Sequence, residues 1–196
     1  MDAQAWDRRY EAAELVWTAG PNQFVAGELA GLPAGRALDL AAGEGRNALW
    51  LAERGWRVTA VDFSKVGLAK AARIAEQRGI EVDWVLADVL DFTPRRGGFE
   101  LVLLSYLQLP GEQLARVLRG AAAALAPGGT LLAVGHDRTN LTEGVGGPQE
   151  AEVLWTAKAV RTALPGLHVA RAERVRREVP GAGEAIDTLV LARSVG

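Results

Sequence analysis

The sequence predicts an α/β fold, a mostly parallel sheet wrapped by helices. Three observations carry that prediction. From about Arg36 onward, short apolar runs alternate with helix-like stretches of roughly 10–15 residues, a rhythm that requires parallel strands joined by right-handed crossovers. The last two runs, 167–177 and 184–192, are separated only by Pro180-Gly181-Ala182-Gly183, a hairpin connection that closes the sheet with an antiparallel strand. The early turn Ala41-Ala42-Gly43-Glu44-Gly45 joins an apolar run directly to a helix, so glycines without Cβ and unsatisfied helix N–H groups converge on one place.

In chain order, residues 2–19 read as a helix with Trp6, Tyr10, Ala13 and Trp17 on one face. Gly20-Pro21-Asn22 breaks it, and a second helix runs over 22–29. Strands follow at 37–40, 57–62, 81–86, 99–104 and 130–135. The helices between them cover 47–54, ended by Gly55, and 64–78, capped by Ser64 and ended by Gly79. A third covers 110–125 and turns through Pro127-Gly128-Gly129. Residues 138–148 read as a mobile Gly-rich loop and 149–164 as a helix. The whole chain is expected to form one domain, with 1–34 a helical lid and 35–196 the cofactor-binding core.

Composition narrows the class. Apolar content of 49% and charged content of 23% are those of an ordinary globular protein, and no apolar run is long enough to span a membrane. A formal charge of -2 argues against nucleic acid as a partner, and the basic clusters at Arg95-Arg96 and Arg174 to Arg177 read as solvated faces. Without cysteine, with two distant histidines and no D-x-D or H-E-x-x-H spacing, no metal site is expected. No G-x-S-x-G elbow is present for a serine hydrolase. The N-terminus shows no secretory signal, so a cytoplasmic monomer or homodimer is expected.

In a parallel sheet, ligands bind beyond the strand C-termini. The residues ending these strands are Asp39, Asp62, Asp88, Ser105-Tyr106 and His136, all of them polar. Gly43-Glu44-Gly45-Arg46-Asn47-Ala48 loosely fits a dinucleotide fingerprint, and an NAD(P)-dependent oxidoreductase stays open on that ground. Asp39 before the turn and Glu44 within it argue the other way, because a pyrophosphate would meet two carboxylates. S-adenosylmethionine instead offers an ammonium to Asp39, a ribose diol to Asp62 and an adenine amino group to Asp88.

Leu38-Asp39-Leu40-Ala41-Ala42-Gly43-Glu44-Gly45, Val61-Asp62, Ala87-Asp88 and Leu125-Ala126-Pro127-Gly128-Gly129 together resemble the class I S-adenosylmethionine-dependent methyltransferases. Trp6-Asp7-Arg8-Arg9-Tyr10, Gly43-Glu44-Gly45-Arg46-Asn47 and Gly135-His136-Asp137 further resemble the small bacterial tellurite-resistance and thiopurine methyltransferases. The resemblance implies a Rossmann-like three-layer sandwich whose seven-stranded sheet has the order 3-2-1-4-5-7-6, with strand 7 antiparallel. One position departs from the pattern. The glycine usually found two residues after the acid is Ala41, so either the backbone there is ordinary or the cofactor sits slightly differently.

The expected cofactor contacts are Asp39, Ala41, Gly43, Gly45, Arg46, Asn47, Asp62, Phe63, Asp88, Val89 and Ser105. Trp6, Tyr10, Trp17, Tyr106, Gln108, His136 and Asn140 are expected to shape the pocket for a small-molecule methyl acceptor, with His136 and Tyr106 as catalytic candidates. His168 reads as structural. A non-catalytic S-adenosylmethionine-binding protein is the remaining alternative.

Overall fold

The computed structural model describes residues 2–16 and 20–195. Seven strands form one sheet in the order β3-β2-β1-β4-β5-β7-β6, the order that the resemblance implies. By density of internal packing the chain divides into two compact units, Met1–Thr93 and Pro94–Gly196. No helix among the described residues is long and apolar enough to cross a membrane.

In the first unit, β1 (Arg36–Leu40), β2 (Arg57–Asp62) and β3 (Asp83–Leu86) pair in parallel, with Asp39 opposite Ala60 and Asp62 opposite Leu86. Leu38, Leu40, Val58, Ala60 and Val61 are buried; a fully buried aliphatic side chain of this kind contributes about 1.5–3 kcal/mol. Helix α3 (Arg46–Ala52) starts directly from the glycine turn. Helix α4 (Lys65–Arg78) is capped by the Ser64 hydroxyl, which accepts from Gly67 N at 3.0 Å, and Gly79 closes it at φ 64°. The turn fits tightly against α4 and β3. A Cβ on Gly45 would lie 2.8 Å from Ala71 Cβ and 2.7 Å from the Trp84 ring, so only glycine fits there.

The N-terminal helix is shorter than the aromatic spacing predicts. Helix α1 covers Ala3–Glu11, and α2 covers Gln23–Leu29 with Asn22 as its cap. Residues 12–16 leave the helical path because their surroundings offer better partners. The Lys70 ammonium takes the carbonyls of Tyr10 and Ala13 (2.6 Å to the latter), acting as a cationic cap at the end of α1, and the Glu44 carboxylate accepts from Val16 N at 3.0 Å. Trp6 and Tyr10 do share a face, with ring centroids 5.4 Å apart, but Ala13 is exposed and off the helix. Trp17 lies outside the described residues.

In the second unit, β4 (Phe99–Ser105) and β5 (Leu125–His136) are parallel, β7 (Gly183–Ser194) runs antiparallel to β5, and β6 (Leu167–Val179) runs antiparallel to β7. Leu101–Leu104 and Leu131–Val134 are buried throughout, and α5 (Gly111–Ala124) buries Leu114, Val117, Leu118 and Ala121 on one stripe. Three expectations need correction. Strand β5 begins at Leu125 rather than Thr130, because Phe99 pairs with Leu125 while Leu101 pairs with Thr130, and Pro127-Gly128-Gly129 is taken up as a bulge. The loop 138–148 contains a helical turn, α6 (Asn140–Glu143). The helix expected over 149–164 is a 3₁₀ turn at Ala151–Val153, an extended Leu154-Trp155, and a short α7 (Ala157–Thr162) capped by Thr156. Trp155 is drawn out of helix by its own bonds: its N donates to His136 O at 2.8 Å and its indole N–H to Leu107 O at 3.2 Å.

Candidate active site

The first unit gathers three strand-end carboxylates in different states. Asp39 is 1% exposed, and neither of its oxygens has a hydrogen-bond partner. Burial, with repulsion from Asp62, pushes its carboxyl up to about 7, and the Arg46 charge only partly opposes this. Asp62 is also buried, but its oxygens are engaged: Oδ2 accepts from Gly43 N and Oδ1 from Ser64 N, each at 2.8 Å. Burial still holds its carboxyl above the ordinary range against those two bonds. Asp88 is half-buried, and its Oδ1 accepts from Leu90 N at 2.8 Å in a tight turn. An ionised carboxylate has about four acceptor positions, so Asp62 and Asp88 keep capacity for a ligand's donors.

The turn between β1 and α3 holds three residues in the left-handed region: Ala41 at φ 62°, Gly43 at 57° and Gly45 at 74°. The departure from the family pattern therefore does not restore ordinary backbone. Alanine takes the conformation glycine would adopt freely, at a cost of about 1–2 kcal/mol. Strain of this size lies two residues from a buried carboxylate without a hydrogen bond.

Two polar side chains near the turn, Asn47 and Glu44, are engaged within the protein. The Asn47 side-chain oxygen accepts from Asn22 N at 2.9 Å and so holds the cap of α2. Glu44, 3% exposed, faces Lys70 at 3.2 Å and Val16 N. Tyr10 lies over the turn: a Cβ on Gly43 would fall 2.6 Å from its hydroxyl, and one on Gly67 would fall 3.1 Å from its ring. Trp6 is half-buried beside it, with Arg9 5.1 Å above its ring. Phe63 and Val89 are half-buried.

The second unit builds a charged network around Asp187, which is fully buried on β7. Its Oδ2 accepts from the Tyr106 hydroxyl at 2.6 Å and from Arg177 Nε at 2.9 Å, while its Oδ1 lies 3.2 Å from His136 Nδ1. Burial alone would raise the Asp187 carboxyl, but His136, Tyr106 and Arg177 together hold it below the ordinary range. Tyr106, at φ 58°, tilts against His136 with ring centroids 4.8 Å apart. Burial and the neighbouring Asp187 charge push its phenol well above the ordinary value, so Tyr106 is a donor to Asp187 and not a base. Gly147 packs close against the His136 ring; a Cβ there would lie 3.0 Å from Nδ1. Ser105 Oγ is buried without a partner, and Gln108 is half-buried. Asn140 is not placed to meet an acceptor. It is 3% exposed, its Oδ1 accepts from Ile186 N at 2.7 Å and its Nδ2 donates to Gly146 O at 2.8 Å, pinning the loop it belongs to.

Residues 37–129 match the family model described as methyltransferase domain. That stretch, just under half of the chain, is similar to a methyltransferase domain. Demethylmenaquinone methyltransferase of Thermus thermophilus is 39% identical over 99 residues, 50% of this chain and 45% of that relative. The matched segments span about half the length of the curated relatives. Two solved structures share the fold across 98% of the chain. One, concerned with conversion of a disulfide bond into a thioacetal group during echinomycin biosynthesis, has a TM-score of 0.78 at 23% identity over 92% of its own length. The other, TehB from Haemophilus influenzae, has a TM-score of 0.77 at 16% identity over 66% of its length.

Sequence reasoning missed Asp187, Arg177, Lys70 and Asp7. Asp7 Oδ1 accepts from Ser64 Oγ at 2.5 Å and Val66 N at 3.2 Å, tying α1 to the start of α4. A signal for Asp187 does exist. It is a lone acid in the apolar run Ala185-Ile186-Asp187-Thr188-Leu189-Val190-Leu191, and an acid in a central strand must have partners. Arg177 carried no such signal, because its neighbours Arg174 and Arg176 are exposed and mask it.

Proposed function

We propose that the protein transfers a methyl group from S-adenosylmethionine to a small-molecule acceptor, leaving S-adenosylhomocysteine. The observation that carries this reading is Asp39, a buried carboxylate with both oxygens unpartnered at the foot of a left-handed turn. Such a group is costly unless a cation completes it, and the cofactor's ammonium is one. A pyrophosphate would only add negative charge, which counts against a nicotinamide cofactor. Asp62 would take the ribose diol and Asp88 the adenine amino group through their remaining acceptor positions.

When bound, the cofactor supplies a methyl carbon on a sulfonium. The protein's task is then alignment, exclusion of water and, where the acceptor carries a proton, its removal. His136 fits the last role, and Tyr106 supports it through Asp187. The Thermus thermophilus relative is named for a small molecule, demethylmenaquinone, which supports a small acceptor here. The N-terminal segment, latched by Asp7, Lys70 and Glu44, acts as a lid. The test is equilibrium binding of S-adenosylhomocysteine against NAD, followed by a screen of small acceptors read by S-adenosylhomocysteine release. Binding of the former at micromolar concentration with turnover of at least one acceptor supports the reading; preferential NAD binding overturns it.

A further inference from the structure

The network around Asp187 distributes its partners unequally. Oδ2 takes two donors, the Tyr106 hydroxyl and Arg177 Nε. Oδ1 is buried, has no hydrogen bond to any donor, and lies 3.2 Å from His136 Nδ1, which is itself buried and has no other partner. Two buried polar atoms at that separation, each otherwise unsatisfied, have only each other. A neutral imidazole places its single proton on one nitrogen, and the environment of the other decides which.

We propose that Asp187 is a positioning residue that fixes the neutral His136 ring with its proton on Nδ1, leaving Nε2 as the free proton acceptor. The assignment follows from three facts of geometry. The carboxylate can only accept at Oδ1, so Nδ1 must donate. Tyr106 and Arg177 keep Oδ2 occupied and stop the carboxylate from rotating. Gly147 and the Tyr106 ring both pack against the imidazole and leave it little room to turn. Among the described residues, the titratable groups facing the ring are Tyr106 from the segment after β4 and Asp187 from β7, and Arg177 from β6 bonds to both of these. The inference rests on the proposed methyl transfer only for its use: His136 Nε2 takes the acceptor's proton as the acceptor's lone pair forms the bond to the methyl carbon, and the carbon–sulfur pair returns to sulfur. The resulting imidazolium is then paired with Asp187.

The test needs neither cofactor nor acceptor. The chain has two histidines, His136 and the exposed His168, so ring-¹⁵N NMR of histidine-labelled full-length protein is resolved by a His168→Gln variant. Above the pH where the rings are neutral, the wild type is expected to show His136 as the Nδ1–H form and His168 as a mixture dominated by the form free in water. In Asp187→Asn, Tyr106 and Arg177 claim the amide oxygen, so the amide NH₂ faces Nδ1 and the proton moves to Nε2. Inversion of the tautomer in that variant supports the proposal. An Nε2–H form in the wild type overturns it, and this reading does not depend on whether the variant folds. Acceptor methylation that survives in Asp187→Asn with an inverted tautomer would overturn proton uptake at Nε2 while leaving cofactor binding untouched, so the two failures are distinguishable.

Discussion

Asp39 and Asp187 are both removed from water, at 1% and 0% exposure, yet burial acts on them in opposite directions. Asp39, the penultimate residue of β1, has no hydrogen bond at its carboxylate, and its carboxyl is pushed up to about 7. Asp187, on β7, has Tyr106, Arg177 and His136 around it and is held below the ordinary carboxylate range. The difference is the number of donors the fold supplies, not depth. A carboxylate that the fold completes belongs to the protein's internal scaffold; one that it leaves incomplete is, on the proposed reading, kept for a ligand.

The largest expected effect breaks the completed side. Asp187→Ala strands the Arg177 and His136 groups in a buried setting and should lower stability by about 3–5 kcal/mol, read as a shift of the urea midpoint. A loss below about 1 kcal/mol would show that the network is not structural.

The incomplete side should behave in reverse. Because the Asp39 carboxyl is raised in the folded protein, the folded state binds more protons than the unfolded state between pH 4 and 7. Stability contributed by this residue therefore falls as pH rises through that window, by about 1.4 kcal/mol per unit at most, and levels off above it. Asp39→Asn should remove that slope and raise the stability of the ligand-free protein at pH 8 by roughly 2–4 kcal/mol, while weakening S-adenosylhomocysteine binding at least about tenfold. Urea melts at pH 4 and 8 with a binding titration check both halves. A variant that is destabilised at pH 8 would contradict the comparison.

Asp62 lies between the two cases, with two backbone donors and remaining capacity. Asp62→Ala should cost about 1–2 kcal/mol of stability by freeing Gly43 N and Ser64 N, and also weaken cofactor binding; unchanged affinity in a calorimetric titration would remove its ribose role. The smallest effect sharpens the turn itself. Ala41→Gly relieves a left-handed alanine and should raise the melting temperature by an amount equivalent to about 0.5–1 kcal/mol.

Much of this contrast was legible in the sequence, and the reasons it was not fully so are local. The helix from Ser64 to Gly79 and the strand Arg57–Asp62 are self-specifying, since cap, stop and alternation all agree, and both stand where the residues place them. The sheet order followed from the motifs shared with the methyltransferase superfamily. Asp39 and Asp62 stood out as acids ending apolar runs. The failures came where distant side chains override local pattern. Lys70 and Glu44 end α1 early, 57 residues and 28 residues away from the backbone they bind, and Trp155 leaves a helical pattern to reach Leu107. Asn140 and Asn47 looked like ligand contacts because they are polar near strand ends, but each serves a buried backbone amide. Asp187 and Arg177 belong to the hairpin, whose role in a site depends on pairing 10 residues apart across β6 and β7.

The claim that Asp39 is kept for a cation is tested most directly by calorimetric titration of the full-length protein with S-adenosylhomocysteine at pH 6, in buffers of different ionisation enthalpy. Wild-type protein should release close to one proton per ligand bound, as the ammonium draws Asp39 into its charged form, and the release should vanish at pH 8.5 and in Asp39→Asn. Binding at pH 6 with no proton released would contradict it.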